Sequence, residues 1–443
     1  MLSPAAGALL QGARSIVGHR LAVAAVAVAT SRYLSAILNF GTNALVARWL
    51  GTAEYGLLAL VIAYPTLLWS FVGTKSVSVV TRYMAAFQAK GQDDELLDIV
   101  KAGYLLDVSV ACLAFILVVA TGWWVSGSIY HRPEVGWLMV IYAASFPLFS
   151  LAGGSSAVLT AWKRFGLLAG LEVLHPTLKL VLVVGLVAAG LGSTGAVIGL
   201  AAAQASAGLI MMVAATFLLV REGKGLWWRA SLEPLARMRG ELATFFGWNY
   251  LVVTLSGLVE QLPVIFLGSL RGPEQAGFYR LAASITTVGS YMESSLTRVV
   301  YPVLSARWGV EEPERIPASL RRWTLAGGLP ASLLLVVVIP LLPRAIAVAF
   351  GHAYQPTALG AQLMMIGTAV SALFFWLSAL YYSAGAVKLW TLGYAAYCLF
   401  VILAGWFAIQ WWGFLGIAGS VAMGKIAFIG LMVAMLKRVM VKR

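Results

Sequence analysis

The sequence predicts an all-α polytopic membrane protein with twelve transmembrane helices. Of its 443 residues, 61% are hydrophobic and only 11% are charged, and the mean hydropathy is +0.88. Soluble domains carry roughly 25% charged residues, and about 20 consecutive apolar residues are enough to cross a bilayer as a helix. Stretches of about this length, some of which contain buried polar positions, occur at 22–47, 53–80, 99–121, 136–161, 167–190, 195–220, 243–270, 276–304, 323–343, 358–384, 388–411 and 413–436.

The positions of Lys and Arg predict how these helices are oriented. If the N-terminus lies in the cytoplasm, the predicted cytoplasmic segments hold 21 of the 31 Lys and Arg residues, and the opposite segments hold four. Positively charged loops stay on the cytoplasmic side of a membrane. We therefore expect both termini to be cytoplasmic. The net charge of +14 then reflects topology, and it does not indicate a surface that binds nucleic acid.

Two turns of similar sequence predict an internal repeat. ARWLGTAEYGLLAL follows the first predicted helix and GSLRGPEQAGFYRLA follows the seventh, so that Gly51 aligns with Gly272 and Gly56 with Gly277 at a spacing of half the chain. Six helices in each half give both halves the same topology, as in transporters built from parallel repeats. The predicted organisation is an N-terminal lobe at 1–221, an amphipathic cytoplasmic linker at 222–242 and a C-terminal lobe at 243–443.

The predicted helix at 276–304 carries charges that should not face lipid. Arg280 and Arg298 are 18 residues apart, which is about five helical turns, so they share a face and lie roughly 27 Å from each other. The polar residues between them on that face are Ser284, Thr287, Tyr291 and Ser294. Charges inside membrane helices are expensive and usually functional. This face is therefore expected to line a watery or protein-lined interior.

The first predicted helix carries a similar polar face. Arg32, Ser35, Asn39 and Asn43 follow the helical period and lie on one side. Lys75, near the cytoplasmic end of the second helix, either lines the same interior or extends to the lipid head groups. The guanidinium of Arg stays charged and matches the oxygens of phosphate and carboxylate. The sequence thus predicts an anion-selective, cationic cavity that includes Arg32, Lys75, Arg280 and Arg298.

Acidic residues inside the predicted helices have two interpretations. Asp107 and Glu260 could hold a coupling proton or sodium ion, because a buried carboxylate has a raised pKa and can exchange protons, or they could form ion pairs between helices. Glu293 lies off the face of the nearby arginines, and its role is not assigned. Lys425 could bind a lipid head group or an acid on another helix.

Glu172, His175 and Lys179 share one face of the fifth predicted helix. We interpret them as a structural polar cluster in which Glu172 pairs with Lys179.

The sequence contains no recognisable catalytic motif. It has no nucleophile elbow, no Walker sequence and no Cys pair, and its four His residues lack the spacing of metal ligands. GLGSTG matches a dinucleotide-binding pattern, but it joins two membrane helices and follows no strand. The longest loop has about 22 residues, which leaves no room for a catalytic domain. We therefore expect neither an enzyme nor a bound cofactor or metal.

Four motifs, in their order and spacing, resemble a known family. They are ARWLGTAEYGLLAL at 47–60, LGSLRGPEQAGFYRLAASI at 267–285, YPVLSAR at 301–307 and AFGHAYQPTA at 349–358. Together they resemble the polysaccharide transporter, or oligosaccharide flippase, branch of the multidrug/oligosaccharidyl-lipid/polysaccharide (MOP) exporter superfamily. This resemblance implies two six-helix lobes in a MATE-like V shape, with helices 1, 2, 7 and 8 lining a cavity that opens alternately to each side.

The resemblance also implies a substrate. A flippase of this family moves a polyprenyl-pyrophosphate-linked oligosaccharide from the cytoplasmic to the outer leaflet of the bacterial inner membrane for O-antigen, capsule or exopolysaccharide assembly. Arg32, Arg280 and Arg298 would then receive the pyrophosphate or acidic sugars, and Asn39, Asn43 and Tyr291 would contact sugar hydroxyls. The lipid tail would stay among the membrane lipids, and a polysaccharide polymerase and other assembly proteins would be partners.

Three other functions compete with this one. A cation-coupled multidrug exporter of the same superfamily is disfavoured by an Arg in place of an acid on the first helix. A membrane-embedded glycosyltransferase or polymer ligase is disfavoured by short outer loops without paired acids. A scaffold that recruits assembly enzymes would not need the buried charges at all.

Overall fold

The protein is helical in a computed structural model, with no strand in the described part of the chain. That part comprises residues 4–72, 77, 80–81, 83–84, 87–88, 91–231, 239–309 and 316–441, and it includes side chains except at 4–29, 93–94, 239–250, 307, 309, 437 and 441. The helices are α1 (Pro4–Val72), α2 (Asp93–Trp124), α3 (Gly136–Ala143), α4 (Phe146–Ala161), α5 (Phe165–Leu186), α6 (Gly192–Arg221), α7 (Arg239–Arg271), α8 (Pro273–Gly309), α9 (Ile316–Trp323), α10 (Leu329–Val338), α11 (Leu342–Phe350), α12 (Thr357–Leu373), α13 (Leu377–Ser383), α14 (Val387–Trp412), α15 (Phe414–Ala434) and α16 (Leu436–Val441). Short π-helical and 3-10 turns lie at Val125–Ile129, Pro133–Val135, Val187–Leu191, Trp227–Arg229, Thr324–Gly328, Ile339–Leu341 and His352–Tyr354.

The helices have the length and hydropathy of a multi-pass membrane protein. Within the described residues, eight helical stretches are long and apolar enough to cross a bilayer, or nine if α12 and α13, which are bent by 48°, form one span. Two of the eight, Thr30–Val72 and Phe165–Arg221, contain breaks at glycines with positive φ. Within the described residues, the twelve predicted segments are helical except for turns at 144–145, 374–376, 384, 413 and 435, which confirms the all-α polytopic class.

Glycine breaks recur at the spacing of the predicted repeat. Gly51 and Gly272 have φ angles of 74° and 88°, and Gly192 and Gly413 have φ angles of 55° and 56°. Both pairs have the same separation in sequence, half the chain. Residues with a side chain rarely adopt positive φ, so glycine is required where one helix ends and the next begins with almost no loop.

A side-chain cap also recurs in both halves. Glu54 Oε2 accepts a hydrogen bond from the Ser193 backbone N–H at 3.1 Å, and Gln275 Oε1 accepts one from the Phe414 backbone N–H at the same distance. The two acceptors, like the two donors, occupy corresponding positions of the repeat. The first N–H groups of a helix have no partner within the helix. In each half, therefore, the residue three positions after the glycine ties that turn to the start of a later helix, α6 in the first half and α15 in the second.

The two halves meet at a close glycine crossing beside these turns. A Cβ added to Gly277 would lie 3.0 Å from the Cα of Gly56, and one added to Gly56 would overlap the backbone of Pro273. Thr52 Oγ1 donates to Glu274 Oε1 at 2.8 Å across the same contact. Only glycine lets the backbones approach this closely.

Packing divides the remaining helices into two lobes. In the first half, α4 packs against α2 and α6, and α5 packs against α6; in the second half, α15 packs against α12 and α14. The contacts between the halves are made mainly by α1 with α7 and α8. The predicted arrangement of two helical lobes is thus present, and α1 from the first lobe contacts α7 and α8 from the second.

The predicted linker at 222–242 is partly described. Its first residues form a turn in which Trp227 packs on Tyr104 at 4.4 Å between ring centroids and donates its indole N–H to Thr216 Oγ1 at 3.0 Å. α7 already begins at Arg239, so the last residues of the predicted linker are helical. Residues 232–238 lie outside the described residues.

Candidate functional site

A polar cavity of about 740 Å³ lies between the two lobes. Its walls come from α1, α5 and α6 in the first half and from α7, α8, α12, α13, α14 and α15 in the second. The polar residues that line it are Asn39, Thr42, Asn43, Tyr55, Lys179, Glu260, Tyr279, Arg280, Ser284, Thr286, Thr287, Ser290, Tyr291, Glu293, Thr368, Ser371, Ser378, Tyr394, Tyr397 and Lys425. A cavity this polar inside an apolar helical bundle is the strongest candidate for a site.

Two cations from opposite lobes line the cavity. Lys179 on α5 donates from Nζ to Asn39 Oδ1 at 3.1 Å, and Asn39 is itself held by a 2.9 Å bond from Nδ2 to the Ser35 carbonyl. Arg280 on α8 is close enough for its charge to act on Lys179. Among the described residues, the hydrogen-bond acceptor that Arg280 Nη1 reaches is a distant one, Gln261 Oε1 at 3.5 Å. The guanidinium therefore has donors to offer an anion in the cavity.

Glu260 on α7 is an acid that lines the same cavity. Its side chain interacts electrostatically with Arg280. Asn39 occupies the equivalent position of the first half, at the spacing of the repeat. The two halves therefore present an amide and a carboxylate from corresponding places.

A second charged group lies on the wall formed by α8, α12 and α15. Lys425 Nζ is 3.8 Å from Glu293 Oε2, and Ser371 Oγ donates to Glu293 Oε1 at 2.8 Å. Both charged residues had no role assigned from the sequence. The acid partner of Lys425 lies on another helix, which is one of the two alternatives left open for it.

Aromatic side chains form part of the second lobe's wall. Trp390, Tyr394 and Tyr397 on α14 pack around Phe428 on α15, with ring centroids 5.0, 5.7 and 5.9 Å from that of Phe428. The family resemblance implied a cavity lined by helices 1, 2, 7 and 8. Sequence reasoning missed this wall because aromatic residues at helical spacing are as typical of packing between helices as of a binding surface.

The structure separates the predicted site residues into two groups. The first group lines the cavity and consists of Arg280, Asn39, Asn43, Tyr291 and Glu260.

Arg32 and Arg298 are exposed and are not among the lining residues. They lie near a contact between α1 and α8, where the Tyr33 hydroxyl donates to Ser295 Oγ at 3.2 Å. Lys75 lies outside the described residues.

The predicted polar cluster on α5 is divided. Lys179 turns into the cavity, and among the described residues no ion pair joins it to Glu172, whose backbone carbonyl accepts from Ser35 Oγ at 3.4 Å. The ring of His175 packs beside Phe149 at 5.3 Å.

Asp107 is buried in the first lobe and lies close to Gly153 and Tyr104. It is not among the residues that line the cavity. The structure therefore does not bring it together with Glu260.

Residues 23–308 match the family model for polysaccharide biosynthesis proteins. The chain belongs to this family. The matched region contains the glycine turns of both halves, the cations Lys179 and Arg280, and Glu293. It ends before Ser371 and Lys425, so the second charged group is completed by the part of the chain beyond the match.

Solved structures of transporters share the fold of this family member. The inward-facing conformation of a multidrug resistance MATE family transporter of the MOP superfamily aligns with a TM-score of 0.72 and 13% identity, over 93% of this chain and 98% of that one. The lipid II flippase MurJ in an inward closed conformation aligns with a TM-score of 0.73 and 12% identity, over 94% and 89%. These likenesses confirm the predicted MATE-like fold.

A third structure aligns with a TM-score of 0.64 and 16% identity, over 94% of each chain. It is a MOP superfamily transporter from Pyrococcus furiosus, whose binding pocket is described as having reverse polarity. A search of curated protein sequences found no match.

Proposed function

We propose that this polysaccharide biosynthesis protein is a flippase. Its substrate is a polyprenyl-pyrophosphate-linked oligosaccharide, which it moves from the cytoplasmic to the outer leaflet by alternating access. The observation that carries this proposal is the polar cavity between the lobes, which Lys179 and Arg280 line from opposite halves, close enough for their charges to interact. Two like charges held together in a membrane protein favour an anionic ligand between them.

An amphipathic substrate suits a polar interior surrounded by an apolar exterior. A pyrophosphate and its sugars would lose several kcal/mol for each polar group that entered lipid without a partner. The cavity offers such groups hydrogen-bond partners, while the polyprenyl tail remains in the bilayer. A membrane-embedded enzyme would need a reactive group beside the substrate, whereas a flippase needs only this change of surroundings.

The lining residues receive distinct roles in this proposal. Arg280 and Lys179 hold the anionic part of the substrate, since charge-assisted hydrogen bonds are about twice as strong as neutral ones. Asn39, Asn43 and Tyr291 offer hydrogen bonds to sugar hydroxyls.

The exposed Arg32 and Arg298 attract anionic head groups outside the cavity. Glu260 competes with the substrate for Arg280, which makes it a better candidate for ion coupling than Asp107, buried away from the cavity.

The proposed orientation places both termini in the cytoplasm of a bacterium and the protein in its inner membrane. The glycine turns at Gly51 and Gly272 then lie on the outer side. In this proposal, the close crossing of Gly56 and Gly277 is the contact that closes the cavity on that side. Its opening and reclosing would complete the transport cycle.

The first test removes the central cations in a host that lacks its own copy of the gene. We expect Arg280→Ala and Lys179→Ala to abolish surface glycan and to leave lipid-linked glycan on the cytoplasmic leaflet. Arg132→Ala is the control, because Arg132 is exposed, lies outside the cavity lining and, among the described residues, forms an ion pair with the nearby Glu134 at 3.5 Å. Normal glycan export by both cavity variants, at normal protein levels, would contradict the assigned roles.

A cation-coupled drug exporter is the second candidate. The aromatic wall beside Glu260 favours it, since aromatic faces and a carboxylate together attract organic cations. Lys179 and Arg280 oppose it. A drug-resistance assay separates the two functions, because only the exporter would lower the sensitivity of the host to cationic dyes.

A further inference from the structure

We propose that Glu293, Ser371 and Lys425 form a second binding site in the cavity, which takes a neutral sugar ring of the substrate through its hydroxyl groups. This inference rests on the proposed function and names the part of the substrate that the second lobe recognises. The three residues come from α8, α12 and α15, and all of them line the cavity.

The geometry of this group leaves a gap that a ligand can fill. Ser371 fixes the carboxylate of Glu293 by a 2.8 Å hydrogen bond. The ammonium of Lys425 stays 3.8 Å from the other carboxylate oxygen, which is too far for a hydrogen bond. An ammonium has three donors, and no acceptor among the described residues receives one from Lys425. A fixed acceptor and an unused donor therefore lie side by side.

The group is open to the cavity. The side chains of Lys425 and Glu293 are 24% and 27% exposed. An ion pair that only stabilises a protein interior needs close geometry and satisfied hydrogen bonds to offset its desolvation. The two charges stay 3.8 Å apart, and among the described residues the ammonium of Lys425 makes no hydrogen bond, so the arrangement is better suited to a ligand.

The balance of charge selects the class of ligand. The positive charge of Lys425 and the negative charge of Glu293 cancel. An anionic sugar would be attracted by the ammonium but repelled by the carboxylate, and a cationic group would be attracted by the carboxylate but repelled by the ammonium. A sugar hydroxyl both accepts and donates a hydrogen bond. It can accept from Lys425 and donate to Glu293, which makes a neutral ring with several hydroxyls the ligand that satisfies the site.

The break between α12 and α13 adds an apolar surface to the same site. The two helices are bent by 48°, and Phe374 and Phe375 at the break line the cavity. Thr297 Oγ1 on α8 donates to the freed carbonyl of Phe375 at 2.7 Å, which stabilises the break. Discontinuous helices form substrate sites in many transporters. A sugar ring has apolar faces as well as hydroxyls, and this corner offers contacts for both.

The second site is distinct from the central cations. Arg280 and Glu293 are 13 residues apart on α8, which corresponds to about 20 Å along the helix. The first half has no equivalent group, because Gln204, at the position that corresponds to Lys425, is held by Ser145 at 2.6 Å and by Tyr142 at 3.2 Å. One site therefore serves the anionic part of the substrate and the other serves its glycan.

Single and exchanged charges test this site. Five proteins are purified in detergent: the wild type, Glu293→Gln, Lys425→Met, the exchange Glu293→Lys/Lys425→Glu, and Gln204→Met. The last is the control, because Gln204 occupies the position of the first half that is equivalent to Lys425. A panel of neutral disaccharides is screened by saturation-transfer NMR, pyrophosphate binding is measured by calorimetry, and glycan export is measured in the gene-deletion host.

We expect at least one disaccharide to bind the wild type and the Gln204→Met control. Its affinity should fall about tenfold or more in both single variants, the effect of losing a hydrogen bond to a charged group. The exchange should not restore disaccharide binding or export, because it moves the fixed acceptor and the donor to different places. Pyrophosphate should bind all of these variants with unchanged affinity.

Four results would overturn the inference. The first is the absence of any disaccharide signal in the wild type, and the second is an unchanged signal in both single variants. The third is full recovery of binding and export in the exchanged variant, which would show a structural ion pair. The fourth is a sodium-dependent thermal shift that is lost in Glu293→Gln while sugar binding is kept. Failure of the proposed function can be distinguished from failure of this inference, because in that case the wild-type protein itself would not bind pyrophosphate.

Discussion

The two halves of this protein agree closely at their outer turns and differ in the wall that each gives to the cavity. The turns share positive-φ glycines and a side-chain cap with the same 3.1 Å bond. The cavity positions do not match. The corresponding residues, first half before second, are Asn39 and Glu260, Ala59 and Arg280, and Gln204 and Lys425.

The difference shows which features backbone geometry constrains and which it leaves free. A turn without a loop and a crossing of two backbones exclude every side chain, so both halves retain glycine there. A cavity wall restricts volume much more than chemical type. Most of the cavity's charge has accordingly been placed in the second half, with Lys179 as the cation of the first half. The following predictions test this contrast, beginning with the largest expected effect.

The glycine crossing should be the least tolerant position. We expect Gly56→Ala to lower the free energy of unfolding by about 1–3 kcal/mol through overpacking and to impair export. Gly41→Ala is the matched control, because Gly41 is also helical and has open space where its Cβ would lie. Thermal unfolding in detergent measures both variants. Equal midpoints for Gly56→Ala and the wild type would show that the crossing is not close in solution.

The central cation of the second half should determine anion affinity. Arg280→Gln should weaken pyrophosphate binding by about 10- to 100-fold, the loss of a charge-assisted hydrogen bond. The fold should be little affected, since the one side-chain hydrogen bond of Arg280 within the described residues is a long one, to Gln261 at 3.5 Å. Calorimetry with purified protein measures the affinity. Arg48→Gln, a change of an exposed Arg outside the cavity, should leave it unchanged, and an equal loss in this control would mean that the effect is non-specific.

The two caps should be interchangeable between the halves. Glu54→Gln and Gln275→Glu each keep an oxygen acceptor for the helix N-terminus and should change stability little. Glu54→Ala and Gln275→Ala remove it and should cost about 0.5–2 kcal/mol. Unfolding midpoints of the four variants measure the effect. If the alanine variants were as stable as the conservative ones, the shared cap would be without energetic consequence.

The smallest effect is expected at the hydrogen bond between the lobes. Thr52→Val removes the donor to Glu274, a contact of 2.8 Å that the repeat does not duplicate, since Pro273 stands where Thr52 would recur. The population with an open outer side should rise by about 2- to 10-fold, as expected for one hydrogen bond. Spin labels at the outer ends of α1 and α8 report this population as a change in distance distribution.

The sequence predicted the frame of this molecule better than its site. Helical periodicity placed Arg280, Asn39 and Asn43 on inward faces, and the structure brings them together. The same periodicity put Arg298 on the face of Arg280, yet Arg298 is exposed and does not line the cavity. A helical period specifies a face, but it does not specify how far along the helix a cavity extends.

Long-range contacts account for the other differences. Lys179 was interpreted through its nearest acid on the same helix, whereas it hydrogen-bonds to Asn39, which is 140 residues away. Glu293 and Lys425 come together only when α8 and α15 pack, so neither has a local signal that identifies its partner. Charge type could be read from the sequence, but partners between helices required the packing of the lobes.

Transport by the purified protein tests the central claim most directly. A polyprenyl-pyrophosphate-linked saccharide with a fluorescent sugar would be placed in proteoliposomes, and its movement between leaflets would be followed by quenching from outside. We predict faster movement with wild-type protein than in protein-free vesicles, and no acceleration with Arg280→Ala or Lys179→Ala. Equal rates in wild-type and protein-free vesicles would contradict the claim that the protein is a flippase. Full acceleration by both variants would contradict the claim that it binds its substrate through Arg280 and Lys179.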